Sequence, residues 1–204
     1  MSRSARKAAA ITVTTLDATT ALVVIDLQNA LRPMPTAPHT MPEVISRTVE
    51  LAEAFRNHHL PVVLVRVTSA ADGSDAVPGR TDVPSRAPRA RAEGWDQIID
   101  ELAGHPGDVV VTKRTRGAFH GTDLDLQLRR RGVTQIVLTG IATSAGVEST
   151  ARAAHEHGYH VTLVTDAMAD ADAETHRHSV ERIFPRLGET GTTSDVLTML
   201  KATR

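Results

Sequence analysis

An acid, an amine and a glycine-bearing turn stand at the ends of three apolar runs, and groups of these kinds can pass a proton. Asp26 closes ALVVID (21–26), Lys113 follows DVVVT (108–112) at once, and QIVLTG (135–140) runs into IATSAGVEST. A carboxylate at the mouth of a buried sheet loses hydration, which favours its protonated form, while a neighbouring ammonium favours the charged one. A carboxyl group held between these pulls suits proton transfer near neutral pH. Lys113 is conspicuous because only Lys7, Lys113 and Lys201 are lysines among 23 basic residues, and the other two lie near the termini. An interior lysine in an arginine-rich chain points to a need for a compact ammonium rather than a planar fork. The turn opens a helix whose free N–H groups can hold an anion or a developing oxyanion. Plainer readings stand beside these. Asp26 can cap a helix or pair with a loop arginine, Lys113 can be a survivor of composition, and Thr143 or Ser144 can serve as N-cap.

The elements that must position these residues are legible in the pattern. ALVVID, PVVLVRV (61–67), DVVVT, QIVLTG and HVTLVT (160–165) are nearly continuous in Val, Leu and Ile. Runs of that kind are strands buried on both faces, as in a parallel sheet. Helix-like segments lie between them, over 42–58, 122–131, 145–157 and 172–186, and Gly132 and Gly158 follow two of these as helix-ending glycines. GETGTTSDVLTML (188–200) offers a sixth short strand and a final helix. The alternation predicts an α/β fold, a three-layer α/β/α domain with a mainly parallel, Rossmann-like sheet of five to six strands. In open sheets of this class ligands bind beyond the carboxyl ends of the strands, where Asp26, Lys113 and the turn all fall. Residues 1–17 are expected to form a flexible tail and 18–204 a single domain. The Pro- and Gly-rich stretch 68–91 reads as a long loop of the kind that is functional or mobile.

Composition removes several function classes. With 204 residues and a net charge of −1, nothing points to nucleic acid or an anionic membrane. No apolar run approaches the ~20 residues that span a bilayer, and the basic N-terminus lacks the long apolar stretch of a secretion signal. A cytoplasmic location is the default. The chain has no cysteine, so disulfides, thiolate metal ligands and a thiol nucleophile are all ruled out. His155 and His157, like His176 and His178, are two apart and would face different directions on a helix. No metal and no cofactor is expected.

Four stretches together resemble the isochorismatase-like hydrolase superfamily, which includes nicotinamidases, carbamoylsarcosine amidases and isochorismatases. They are VVIDLQNAL, TKRTRGAFHGTDLDLQLRRRG, VLTGIATSAGVESTARAA and VTLVTDAMAD, and the resemblance spans roughly residues 20 to 200. It implies that Asp26 and Lys113 are the catalytic acid and lysine. The amidase pattern G-x-x-T-x-x-C-V-E-x-T places its cysteine at Gly146. It also implies a cis peptide at Ile141–Ala142 that aims backbone N–H groups into the pocket. Glycine at the cysteine position is what isochorismatases show. In their chemistry the Asp protonates a vinyl carbon, an oxocarbenium forms and water adds, and Gly146 opens room for substrate and water. Two departures are plain. The end of the second run reads VRVTSA where isochorismatases carry Gln, and Ala142 and Ser144 replace an aromatic residue and a His. The metal-site residues of nicotinamidases are also absent.

The reading is therefore a hydrolase that works on a small anionic substrate by Asp acid/base chemistry without a Cys nucleophile. Asp26, Lys113 and Gly146 are its catalytic positions. Gln28, Trp95, Arg116, Phe119, Ile141 and Ala142 are the expected substrate contacts, with Arg116 as anchor and the two aromatic rings as walls. A homodimer or homotetramer is implied by the resemblance. The alternative is a catalytically silent binding homologue of the amidase branch. A third option recruits Ser144 or Ser149 as nucleophile, but neither occupies the Gly146 position and neither has an obvious base nearby.

Overall fold

The computed structural model describes residues 13–75, 77, 79–82 and 92–202. Its six strands are β1 (Thr20–Ile25), β2 (Val62–Val67), β3 (Val109–Lys113), β4 (Gln135–Ile141), β5 (His160–Ala169) and β6 (Glu189–Gly191). They form one parallel sheet in the order β3-β2-β1-β4-β5-β6, as the apolar runs predict. The chain walks outward from β1 to β3 and then returns to place β4 on the other side of β1, with Thr20 opposite Gln135 and Ile25 opposite Gly140. That reversal opens a crevice at the carboxyl ends of β1 and β4. Asp26 immediately follows β1, Ala142 immediately follows β4, and Lys113 ends β3, so topology alone directs all three toward one rim.

Five helices complete the layers: α1 (Met41–Asn57), α2 (Leu124–Arg130), α3 (Glu148–Glu156), α4 (Ala173–His178) and α5 (Thr193–Ala202). The start of α1 is fixed by its sequence. Thr40 and Glu43 form a reciprocal capping box and Pro42 sits in the first turn. Val44, Thr48, Leu51 and Phe55 then recur on one buried stripe. Alternate residues of β1 serve two cores. Leu22 and Val24 face α1 and α5, whereas Val23 and Ile25 face α2 and α3. Each such fully buried aliphatic side chain contributes about 1.5–3 kcal/mol.

Departures from the predicted elements have local causes. The expected helix over 172–186 breaks into α4, a π turn (Ser179–Ile183) and a 3-10 turn (Phe184–Arg186), the last holding Pro185, which cannot continue an α-helix. The expected helix over 145–157 begins as a π turn (Thr143–Val147) before α3. β5 runs to Ala169, with a register shift against β4 between Leu138 and Gly140. Gly132 and Gly158 take φ values of 64° and 82° after their helices, the role predicted for them.

Of the expected tail, residues 1–12 lie outside the described residues, as do 76, 78 and 83–91 of the expected loop. Residues 13–17 are not a tail. Val13 and Leu16 are buried in the core beside α1 and α5, and the Gln135 side chain accepts from Asp17 N–H and donates to the Thr15 carbonyl. Among the described residues, no helix is long and apolar enough to cross a membrane.

Candidate active site

Asp26 leaves the sheet in the left-handed region, at φ 53°. A non-glycine residue seldom adopts that conformation, and where one does the surroundings must hold it. Its own N–H donates to the Val65 carbonyl at 2.9 Å, which ties it to β2. Lys113 reaches it from the far end of β3, with Nζ 2.8 Å from Asp26 Oδ2 and 3.1 Å from the Thr115 carbonyl. Both residues are buried, at 6% and 2% exposure. Desolvation pushes the Asp26 carboxyl up to about 6, and the charge and hydrogen bond of Lys113 stop it from rising further. Asp26 Oδ1 is buried and accepts no hydrogen bond. An ammonium has three protons and two are engaged here. The pair thus offers one free acceptor beside one free donor.

The turn after β4 supplies the opposing wall. The Ile141–Ala142 peptide is cis, as the resemblance implies. Gly140 is required by close approach, since its φ is 112° and a β-carbon there would stand 2.1 Å from the Ile25 carbonyl oxygen. Gly146 is brought up to the acid. A β-carbon on it would lie 3.2 Å from Asp26 Oδ2, 3.3 Å from the Ile141 carbonyl oxygen and 2.9 Å from Ile25 Cγ2. This corrects the expectation that glycine opens room at this position. A β-carbon there would crowd Ile25 and Asp26.

Asp26, Lys113 and Gly146 share a cavity of about 370 Å³. Ile141, Ala142 and Arg116, three of the expected substrate contacts, line it. Leu31, Met34, Val67 and Val77 form an apolar side that the sequence analysis missed. Arg114 lines it too, with its Nε held 2.9 Å from Asp75 Oδ2. Arg116 is exposed and has no ion pair among the described residues. Three cavities among the described residues are larger: two of about 570 and 500 Å³ include residues from the amino ends of the strands, and one of about 440 Å³ lies between α1 and the Arg32–Glu101 pair. Size alone would favour them, and the first holds a buried Arg56–Asp108 pair, but there the guanidinium engages both carboxylate oxygens, whereas Asp26 keeps one oxygen without a partner.

Three expected substrate contacts are placed elsewhere. Gln28 is a clamp between strands, its amide donating to the Val67 carbonyl at 3.0 Å and accepting from the Val67 N–H at 2.8 Å. Phe119 belongs to the core beside α2 and α3, stacked on His157 with ring centroids 5.0 Å apart. Trp95 sits half-buried in a turn whose carbonyl accepts from the Ala30 N–H, and it does not line the cavity. Ser144 and Ser149 do not line it either. Among the described residues, no group of three His, Asp or Glu is placed to hold a metal ion. A further polar cluster, Thr143, Asp170 and His176, lies against the turn. His176 belongs to a pair dismissed on helical spacing, and only the fold joins it to Thr143.

The family pattern for an Isochorismatase domain matches residues 20–195. The chain belongs to the isochorismatase family of hydrolases. It is 46% identical to the isochorismatase family protein YecD of Escherichia coli O157:H7 over 182 residues, which are 89% of this chain and 96% of that protein. It is 34% identical to the ureidoacrylate amidohydrolase RutB of Methylobacterium radiotolerans over 190 residues, 81% of this chain and 73% of that one. An isochorismatase family structure from Burkholderia thailandensis superposes with a TM-score of 0.88 at 47% identity, covering 92% of this chain and 98% of the other. N-carbamoylsarcosine amidase from Thermoplasma acidophilum superposes at 0.68 with 25% identity, over 86% and 96% of the two chains.

Proposed function

We propose that this isochorismatase family member hydrolyses a small anionic molecule with Asp26 as proton donor and with no nucleophilic side chain. The observation that carries the reading is the 2.8 Å contact between the buried Asp26 and Lys113 at the crevice between β1 and β4. A carboxyl raised to about 6 holds a proton near neutral pH yet gives it up readily. In vinyl ether hydrolysis, the reaction the family resemblance favours, that proton passes to the vinyl carbon and leaves an oxocarbenium. Water adds to the cationic carbon, its released proton returns to Asp26, and the adduct collapses to an alcohol and a carbonyl. The free Lys113 proton suits a substrate oxygen, Arg116 suits the anionic group, and the Leu31–Met34 side suits a carbon skeleton.

A second reading, a silent binder of the same small anions, takes support from the lack, among the described residues, of a second carboxylate or histidine lining the cavity. The two part on one experiment. Vinyl ethers, amides and esters are offered to the native chain and to Asp26→Asn. A rate that collapses in the variant supports the acid, and equal rates reject it. Binding without turnover by the native chain favours the silent reading.

A further inference from the structure

The turn that carries Gly146 is pinned by a second polar cluster, no member of which lines the cavity. Thr143 is fully buried, and its hydroxyl lies 2.9 Å from His176 Nδ1. His176 comes from α4 and is itself buried, with its ring edge-on to His39 at a centroid separation of 6.0 Å. The next residue along, Ser144, donates its N–H to Asp170 Oδ2 at 2.7 Å. Asp170 directly follows β5, and its other oxygen accepts from the Ala171 N–H. Past the glycine, the Thr150 hydroxyl donates to the Gly146 carbonyl at 2.7 Å. Two consecutive residues of the turn are therefore gripped from two separate elements, three and two positions before the glycine that faces Asp26. Within the turn the Ala145 and Val147 N–H groups both donate to the Ala142 carbonyl, and the side-chain ties from α4 and the end of β5 add to these backbone bonds. The shape of the turn decides how far Ala142, Ala145 and Gly146 stand from the acid.

We propose that His176 and Asp170 are positioning residues for the hydrolytic site, fixing the turn against Asp26 through the Thr143 hydroxyl and the Ser144 N–H. The inference rests on the reading of that site given above. His176 suits the task because burial, and then the neighbouring His39, hold its pKa below the ordinary range, against the opposing pull of Asp170. A neutral ring keeps one nitrogen as acceptor and one as donor, so the bond to Thr143 has a settled partner.

The test uses Thr143→Val, which keeps shape and removes the hydroxyl, with His176→Phe and His176→Asn on the full chain. Asp26 is followed through its carboxyl carbon by NMR titration, so one readout does not need a substrate. The charged groups near Asp26 are Lys113, Arg114 and Arg116, and all are kept. In Thr143→Val and His176→Phe, water is expected to reach the acid. Its midpoint should then fall by about half a pH unit or more toward the ordinary carboxylate value, and kcat should drop about tenfold with little change in KM. His176→Asn, which can restore a hydrogen bond, should keep both near native. The double variant should be no worse than either single, because both act through one bond. Folded Thr143→Val with an unmoved Asp26 midpoint and native kcat would overturn the proposal, even if His176→Phe fails to fold. A moved midpoint in a protein whose hydrolysis ignores Asp26→Asn would leave the positioning intact and sink the catalytic reading instead.

Discussion

Ile25 and Gly146 exclude each other's growth: a β-carbon on the glycine would stand 2.9 Å from Ile25 Cγ2. Ile25 is fully buried at the end of β1 and has little freedom to yield. The glycine is thus fitted to its neighbour and is more than a deleted nucleophile. Gly146→Ala and Gly146→Cys should each cost about 1–3 kcal/mol by overpacking. Ile25→Leu removes the branch methyl, so the double variant Ile25→Leu/Gly146→Ala should recover roughly 1 kcal/mol relative to additivity in urea unfolding. Strictly additive costs would show that the two side chains do not compete.

The protonation state of Asp26 sets the direction of the pH profile. Its pKa stands at about 6, against 3.8 for an ordinary aspartate. An acid acts in its protonated form, which is about half the population at pH 6 and about a tenth at pH 7. On the native chain kcat/KM should be flat below pH 5 and fall about tenfold per unit well above pH 6. A limb that rises through the same range would make Asp26 a base.

What the sequence made legible is what backbone position alone determines. Asp26 and Lys113 sit at strand ends and Gly146 in the turn that follows another, and a parallel sheet brings strand ends to one rim whatever the packing. Side-chain direction within the connecting segments is another matter. Gln28 lies two residues past Asp26, yet the positive φ at Asp26 turns the chain and the amide clamps Val67 instead. Phe119 lies six residues past Lys113, and its ring drops into the core beside Tyr159. Leu31, Met34 and Val77 reach the cavity from irregular segments whose course carries no periodic signal. The link between Thr143 and His176 spans 33 residues and arises only when α4 packs against the turn.

Removing the amine should expose the cost of the buried acid. Lys113 is the group that opposes the desolvation of Asp26, so Lys113→Met should raise the Asp26 pKa above its present value of about 6. A carboxyl with a folded pKa above its unfolded 3.8 destabilises the fold as pH rises from there through the folded value. The variant should therefore lose about 3–5 kcal/mol at pH 8, where the charge is buried without its partner. The loss should be much smaller at pH 4, where the acid is protonated when folded. Asp26→Asn/Lys113→Met should flatten that dependence in urea titrations at the two pH values. A loss equal at both would assign the cost to packing.

Arg116 and Arg114 lie two residues apart on the same rim, and only Arg114 is held, by Asp75. On the proposed function the exposed Arg116 meets the substrate anion, and its attraction should act on ground state and transition state alike. Arg116→Ala is expected to raise KM about tenfold, roughly 1.4 kcal/mol, with kcat within about twofold. Because the contact faces solvent, salt should raise the native KM and leave that of the variant nearly unchanged. A neutral analogue of the substrate should not distinguish the two proteins. If kcat falls as far as KM rises, the guanidinium is acting on the reacting bond, and the anion must be held elsewhere in the cavity.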